Sequence, residues 1–392
     1  MKTRVLCITK TRSRGGTEKH LVDLVRRFDA SRTDCVVLCL ESDLFSADLN
    51  DLKNVKVVTA SDAHSRGLIA YWRLFRTFNA DTILFVNSWL GLFPWHAYCA
   101  ARLCAPRRVL AIEHLLADSP ERALGVGLLN RLRRLVGYHA RNRWKVRLAG
   151  ILSHKTITVS NAVRDKLILE YGYSQTKTVT ILNGVDLKRY ARSSTSESGS
   201  KKVELGLNPS DLIILCTSNL NAQKRIDVLL EAFRIVSTNN QRARCVILGS
   251  GSLEAELRAK AAGLGLDRTV MFAGFVADVR PYLEVADLFV LSSDKEGLPL
   301  SLGEAMAYGI PCVATDAGGN KEIVEHGKTG YIVKPGAPEQ LAGAINYLLD
   351  HDEERARMGV LAQCRVRECF NIESRMKELI NELVRGGDGS QL

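Results

Sequence analysis

The sequence predicts an α/β protein made of two Rossmann-like, doubly wound parallel-sheet domains. Three observations carry that reading. Short apolar runs alternate with stretches of helical periodicity along the 392 residues, and strands separated by helices pair in parallel with helices on both faces. The alternation breaks at Ala191–Ser200, a polar stretch with no large apolar side chain, and then begins again. Charge also divides the chain: residues 1–200 hold 32 Lys and Arg against 17 Asp and Glu, whereas residues 201–392 hold 22 against 26. Halves so different suggest different partners. The expected division is a first domain over residues 1–190, a linker over 191–200, a second domain over 201–370 and a closing helix over 371–392.

Bulk composition narrows the class. Hydrophobic residues make up 46% and charged residues 25%, which excludes a disordered chain. The 10 cysteines include no Cys-x-x-Cys pair, and Cys7, Cys39, Cys216, Cys245 and Cys312 fall in strand-like runs; free thiols in a reducing compartment fit this better than metal ligands do. The opening MKTRVLCITK enters a strand directly, without the apolar core of a signal peptide. Thr82–Ala101 is uncharged over a membrane-spanning length, but Asn87, Ser88, Pro94 and His96 interrupt it. It reads as a strand, Thr82–Val86, followed by a separate helix. A cytoplasmic protein is expected.

Lys2–Thr9 is the first buried strand. Gly15, Gly16, Thr17 and Glu18 lead it into a helix running through Phe28; paired glycines there either offer bare backbone to an anion or simply make the turn. Asp34–Leu40, Val55–Thr59, Thr82–Val86 and Arg108–Glu113 continue the strand series. His114 follows at a carboxyl edge, as a site residue or as an ordinary structural histidine. Lys155–Ser160, the helix Asn161–Tyr171 with Gly172 behind it, and Thr178–Leu182 complete the domain, which Asn183-Gly184-Val185-Asp186 closes.

Ser119–Gly150 has the most unusual composition. Arg122, Arg131, Arg133, Arg134, Arg141, Arg143, Lys145 and Arg147 stand against Glu121 alone among acids, with Leu124, Leu128, Leu132, Leu135, Trp144 and Val146 among the apolar residues. Such a mix suits a basic amphipathic helix on anionic lipid, each basic residue adding on the order of 1 kcal/mol. The alternative is a solvated helix whose leucine side packs on the sheet. The stretch matches no nucleic-acid module.

Leu212–Thr217 restarts the pattern, and Asn221, Ala222, Gln223, Lys224 and Arg225 lead into the helix Ile226–Val236. Cys245–Leu248 with Gly249-Ser250-Gly251, and Val270–Ala273 with Gly274-Phe275, follow as strands and turns. Asp287–Ser293 is a buried strand, since Leu288, Phe289, Val290 and Leu291 form an apolar run too short for a helix. It ends in Glu296-Gly297-Leu298-Pro299. From Leu300, the apolar Leu302, Ala305 and Met306 recur at helical spacing behind Pro299, whose missing N–H costs nothing there. Gly309 and Pro311 stop that helix, Pro311–Thr315 is the next strand, and Gly318-Gly319 the next turn. Thr329–Val333 and the helices Pro338–Asp350, Glu353–Cys369 and Ile372–Val384 finish the chain.

Two glycine-bearing turns thus open at carboxyl strand ends toward helix N-termini. An open α/β sheet binds ligands there, and exposed N–H groups favour an anion. Glu296 and Glu304, with seven residues between them, flank the first turn. Carboxylates repel phosphates but accept from pairs of hydroxyls. The ligand that satisfies both features carries a diphosphate and hydroxyl-rich rings, as a sugar nucleotide does.

The stretch EGLPLSLGEAMAYGIPCVATDAGG resembles the donor-binding signature of the retaining glycosyltransferases of family 4 (glycosyl transferases group 1). Their fold is GT-B, two Rossmann-like domains facing across a cleft. The resemblance implies that Glu296 holds sugar hydroxyls and Glu304 the ribose diol, while Gly297, Leu298, Pro299 and Leu300, with Gly318 and Gly319, line the diphosphate. Gly15 and Gly16 would approach the donor's phosphates and the acceptor, His114 the donor sugar, Gly249 the nucleotide and Phe275 the base. Lys224 matches a lysine that neutralises the diphosphate. The family's arginine five residues earlier is replaced by Asn219, and Arg225, where the family usually has glycine, is the candidate substitute. Leu115 stands where an acidic residue often follows the histidine. The family's last helix commonly crosses back to the first domain.

The activity this implies is transfer of a hexose-type sugar with its anomeric configuration retained, with Glu296, His114 and Lys224 as catalytic residues. No metal is implied, and no cofactor beyond the nucleotide sugar as co-substrate. Expected partners are that donor, a glycan or lipid-linked acceptor of surface polysaccharide or glycolipid biosynthesis, and an anionic membrane surface met by Arg131, Arg133, Arg134, Arg141, Arg143, Lys145 and Arg147. The protein would then sit peripherally at the inner face of the membrane; nucleic acid is not expected. The alternatives are a GT-B-fold sugar-nucleotide epimerase and a non-catalytic nucleotide-sugar-binding or membrane scaffold protein, the latter suggested by Asn219.

Overall fold

The computed structural model describes residues 2–11, 15–60, 67–88, 92–104, 107–114, 143–191 and 198–384. They form two compact units, one of Met1–Asn183 with Ser374–Leu392 and one of Gly184–Glu373.

Seven strands build the first unit: β1 (Thr3–Thr9), β2 (Thr33–Cys39), β3 (Val55–Thr59), β4 (Thr82–Asn87), β5 (Arg108–Glu113), β6 (Lys155–Thr158) and β7 (Thr178–Thr180). They lie in the order β3-β2-β1-β4-β5-β6-β7, and every pairing is parallel. Strands covered on both faces read as continuous apolar runs, which is why Val5, Leu6, Cys7 and Ile8 are at most 1% exposed. One face packs the helices Leu68–Arg76 and Trp95–Cys104 through Tyr71, Phe75, Ala97 and Ala101 onto Phe85. The uncharged stretch Thr82–Ala101 is β4 and part of a separate helix, and no helix among the described residues is long and apolar enough to cross a membrane.

The second unit has six strands: β8 (Leu212–Thr217), β9 (Ala243–Leu248), β10 (Val270–Gly274), β11 (Leu288–Leu291), β12 (Cys312–Thr315) and β13 (Gly330–Val333). Their order is β10-β9-β8-β11-β12-β13, again all parallel. The helix Ile226–Asn239 buries Leu229, Phe233 and Val236 against Ile214, Ile247 and Val290. Both sheets reverse their strand order once, between β1 and β4 and between β8 and β11. These are the topological switch points at which such sheets bind ligands.

The passage from one unit to the other falls at Asn183–Gly184 rather than in the polar stretch 191–200. Main-chain bonds explain the difference. Val185 donates to the Phe370 carbonyl (2.7 Å) and accepts from Ile372 (3.0 Å), which fixes the chain after Gly184 to the second unit. Tyr190 is buried, with its ring 6.4 Å from that of Tyr308, and Ser198–Glu204 is helical. From Ser374 the last helix, Ile372–Val384, belongs to the first unit. There Glu382 Oε1 accepts from Lys155 Nζ (2.6 Å) and Arg108 Nη2 (3.3 Å).

Candidate functional site

At the second unit's switch point the loops after β8 and β11 are cross-linked. The first is a tight 3-10 turn, Ala222–Lys224, capped by Asn221, whose Oδ1 accepts from the amides of Gln223 (3.1 Å) and Lys224 (3.3 Å). Gln223 Nε2 donates to the Lys295 carbonyl (2.8 Å), and Asp294 N–H donates to the Gln223 carbonyl (2.9 Å). Ser292 Oγ reaches the carbonyls of Lys224 and Arg225, both at 2.9 Å. Lys224 Nζ then donates to Glu296 Oε1 at 2.6 Å, a short charge-assisted bond. Glu296 is 6% exposed and Lys224 18%, so each charge depends on the other for compensation.

Pro299 opens the helix Leu300–Ala307 with no side-chain cap, leaving the amides of its first turn unserved by any capping side chain. Gly297, Leu298 and Pro299 are buried and Leu300 half-buried. Glu304 lies within that helix, 9% exposed. The second glycine turn interlocks with the first. Gly318 has φ +56°, and a Cβ there would stand 1.8 Å from the Glu296 carbonyl oxygen, so only glycine lets the two turns meet. Gly319 N–H donates to the Gly297 carbonyl (2.9 Å). The sequence reading gives that amide to a diphosphate; in the structure it holds the Glu296 turn.

Gly249 plays a similar part beside β8, with φ +130° and the Ser218 carbonyl oxygen 1.9 Å from where its Cβ would be. Asn219 is exposed, and Phe275 is 69% exposed. Arg225, the candidate second cation, is engaged with two carboxylates: Nε and Nη2 with Asp227 (3.0 and 2.9 Å) and Nη1 with Asp294 (3.1 Å).

The first unit's switch point is built differently. Gly15, in extended conformation, precedes the helix Gly16–Val25. Glu18 is buried there; burial pushes its carboxyl up, against the hydrogen bonds of the Thr11 hydroxyl and the Gly15 amide. Ser88 Oγ, after β4, donates to Glu18 Oε1 at 3.4 Å. His114, at the end of β5, is buried with Nδ1 3.1 Å from the Asn87 carbonyl and Nε2 2.9 Å from His20 Nδ1. A carbonyl only accepts, so Nδ1 of His114 carries the proton and Nε2 accepts from His20. Burial pushes His114 down to about 4 and His20 well below its ordinary value. Both rings are neutral at pH 7. Asn87 Nδ2 donates to Glu113 Oε1 (2.7 Å), and burial holds Glu113 well above the usual carboxylate range.

His20, Glu18, Asn87 and Glu113 were missed by sequence reasoning. The available signal was topological, since Asn87 and Glu113 close neighbouring strands at the same carboxyl edge and are paired in register. Of the basic residues assigned to a membrane, Arg131, Arg133, Arg134 and Arg141 lie outside the described residues. Arg143 donates to the Glu170 carbonyl through Nε (3.1 Å) and Nη2. Arg147 lies 3.4 Å from a Cβ built on Gly172, and Lys145 Nζ stands 5.9 Å from the Trp144 ring centroid. Arg143 and Arg147 therefore gather at the C-terminus of the helix Asn161–Tyr171, whose exposed carbonyls favour cations.

Two family models match, in tandem: Glycosyltransferase Family 4 over residues 14–189 and Glycosyl transferases group 1 over residues 198–363. The chain belongs to the group 1, family 4 glycosyltransferases. Its architecture is correspondingly GT-B. Anabaena HepE in complex with UDP and glucose superimposes with a TM-score of 0.80 at 23% identity, covering 97% of this chain and 99% of that one. Among curated relatives, the N-acetyl-alpha-D-glucosaminyl L-malate synthase of Bacillus anthracis is 31% identical over 194 residues, 50% of each chain. The UDP-Gal:alpha-D-GlcNAc-diphosphoundecaprenol alpha-1,3-galactosyltransferase of Escherichia coli is 24% identical over 319 residues, 80% of this chain and 78% of that one. The first of these alignments spans about half the length of the relative it matches.

Proposed function

We propose that the protein is a retaining glycosyltransferase that moves a hexose-type sugar from a nucleotide sugar to a glycan or lipid-linked acceptor of surface polysaccharide or glycolipid biosynthesis. The observation that carries this is the Lys224–Glu296 pair at the second switch point, two residues before the buried Leu298 and followed by the helix that holds Glu304. In the resting protein the lysine is neutralised by the glutamate. An arriving diphosphate takes the lysine over, which releases Glu296 to accept from sugar hydroxyls. Lys224 and the helix amides then stabilise the charge that develops on the departing diphosphate, and Glu304 accepts from the ribose diol. That similar proteins carry UDP and glucose, or use a UDP-galactose donor by name, supports a nucleotide-sugar donor.

A thermal-shift panel of UDP-, GDP- and ADP-sugars identifies the donor, because only the right one stabilises the protein by mass action. With that donor and a lipid-linked acceptor, nucleoside diphosphate is released and Glu296→Ala abolishes the release. The anomeric coupling constant of the product matches that of the donor if configuration is retained. Donor breakdown without need of an acceptor would favour the epimerase, and binding with no turnover on any acceptor would favour the scaffold.

Peripheral association with anionic lipid is the second part of the reading. Trp144, within the basic stretch, and Ile151, just after it, are 49% and 59% exposed. Vesicles containing anionic lipid are expected to retain the protein, and to lose it when Arg131, Arg133 and Arg134 are changed to Gln; equal recovery of both proteins rejects this part.

A further inference from the structure

The Glu296 turn is held by more than its glycine packing, and one of the groups that hold it is in an unusual backbone state. Arg225 has φ +48° and ψ +44°. Side-chain-bearing residues enter this left-handed region at a cost of roughly 1 kcal/mol, and glycine enters it freely. Asn79 is the one other non-glycine residue with positive φ among those described. What the conformation achieves is visible in the guanidinium contacts. Turning left at residue 225 ends the Ala222–Lys224 turn, starts the helix Ile226–Asn239, and aims the side chain at two acids. One, Asp227, lies in the first turn of that same helix and grips Nε and Nη2 at 3.0 and 2.9 Å. The other, Asp294, lies in the loop after β11, two residues before Glu296, with its Oδ1 and Oδ2 at 3.1 and 3.3 Å from Nη1.

Asp294 is itself doubly anchored, because its amide donates to the Gln223 carbonyl (2.9 Å), in the lysine loop. The Arg225 side chain, at 18% exposure, and that of Asp294, at 22%, are shielded enough for an ion pair to hold geometry as well as charge: the Nε–Nη2 edge grips Asp227 and fixes the guanidinium, and Nη1 meets both oxygens of Asp294. Resting on the donor-site reading above, we propose that Arg225 is a positioning residue, whose ion pair with Asp294 sets the loop bearing Glu296 in register with the loop bearing Lys224. It is then not a second cation on the diphosphate: with both acids in place its charge is already compensated.

The two roles give opposite results when the acid is removed. Arg225→Gly accepts the left-handed backbone and deletes the pair, and Asp294→Asn deletes the same pair while freeing the arginine. In the ligand-free protein, hydrogen exchange at the amides of Asp294 and Gly319 is expected to rise about tenfold in each variant, with the double variant no faster than either. Calorimetric titration with UDP, GDP, UDP-glucose and GDP-mannose then separates binding from positioning. For the nucleotide that the wild type accepts, the diphosphate binds both variants within about twofold of wild type, while the sugar nucleotide, which needs Glu296 in place, binds each about tenfold more weakly. Arg225→Lys, keeping a charge without the fork, falls between. Unchanged exchange at both amides overturns the proposal. So does Asp294→Asn tightening the diphosphate while Arg225→Gly loosens it, the signature of a direct phosphate ligand. If the wild type binds none of the four compounds, nor ADP or ADP-glucose, the donor reading fails and the exchange measurement alone decides the ion pair.

Discussion

The two units share a strand order but treat charge in opposite ways. The half of the chain rich in Lys and Arg, residues 1–200, places no cation among the groups described at its switch point: two uncharged histidines and an asparagine stand beside Glu18 and Glu113, whose carboxyls burial pushes up. The slightly acidic half puts Lys224, Glu296, Arg225 and Asp294 at the same topological position. Net charge therefore says nothing about where charge acts. A shielded cation is costly without a partner, and Glu296 supplies one to Lys224; under the proposed function an anionic leaving group claims that cation in turn. Neutral donors and acceptors suit a site that meets hydroxyls. Of the predictions below, the first removes charge from the second switch point, the second tests whether the histidines of the first stay neutral, and the last two remove charges that lie away from both.

The largest effect is expected from Lys224→Ala. It leaves Glu296 buried without its cation, destabilising the second unit by about 3 kcal/mol, and lowers turnover roughly 100- to 1000-fold. Urea unfolding followed by hydrogen exchange in the second unit measures the first, and nucleoside diphosphate release the second. Lys224→Ala with Glu296→Gln should recover more than half of the stability and none of the turnover. Recovery of both would mean that the pair is structural only.

The first switch point should fail with acid instead. His20 and His114 have folded pKa values below the unfolded one of about 6.5, with His114 at about 4. Such groups leave stability intact above pH 6.5; below it the unfolded chain takes up protons that the folded one refuses, until the folded pKa is passed. His114 thus removes up to about 2 kcal/mol between pH 6.5 and 5, and His20 adds to the loss in the same direction. Unfolding midpoints of the first unit across that range should steepen with pH in the wild type and flatten by about half in His20→Asn. An equal slope in both would show that His20 takes up its proton as readily in the folded chain as in the unfolded one, so that its ring is not held neutral.

Much of this was legible in the sequence, for a physical reason in each case. Parallel strands buried on both faces leave apolar runs, so every strand was found. The run Asp287–Ser293 was read too long because its ends work elsewhere. Asp287 Oδ2 accepts from the Ile213 amide (2.8 Å), and Ser292 Oγ binds the lysine loop, which leaves Leu288–Leu291 as β11. Glu296 stood out because a carboxylate beside a glycine turn and a helix start has few other uses, whereas its pairing with Lys224, 72 positions away, left no mark in the spacing. His20 was not, since its helix shows an ordinary apolar period and only the sheet order brings it to His114, 94 positions away. Contacts divide the units at Asn183–Gly184 rather than at the polar stretch, because the Val185 main-chain bonds tie that segment to the second unit, and such bonds leave no mark in composition.

Away from its switch point the first unit does use charge, and this bounds the comparison. Glu382, 15% exposed, accepts from both Lys155 and Arg108. Burial raises its pKa, but the two cations together outweigh that and leave it below the ordinary glutamate value. A depressed carboxylate stabilises fully above its unfolded pKa and loses that contribution as pH falls through the folded one. Glu382→Gln should therefore cost about 2 kcal/mol at pH 7 and progressively less below about pH 4.5. A loss that persists undiminished at pH 3 would show that the side chain's packing, not its charge, ties the last helix to the first unit.

The smallest effect separates two kinds of arginine within one basic stretch. Arg143 donates to the Glu170 carbonyl at the end of the helix Asn161–Tyr171, so Arg143→Ala should lower stability by only about 0.3 kcal/mol, as expected for an exposed cation at a helix C-terminus. The same substitution should leave retention on anionic vesicles unchanged, whereas changing Arg131, Arg133 and Arg134 to Gln removes it. If Arg143→Ala releases the protein as fully as the triple change does, its bond to the helix end is broken at the lipid surface. The stretch then acts as one basic face, and the positive charge of the first half serves the membrane throughout.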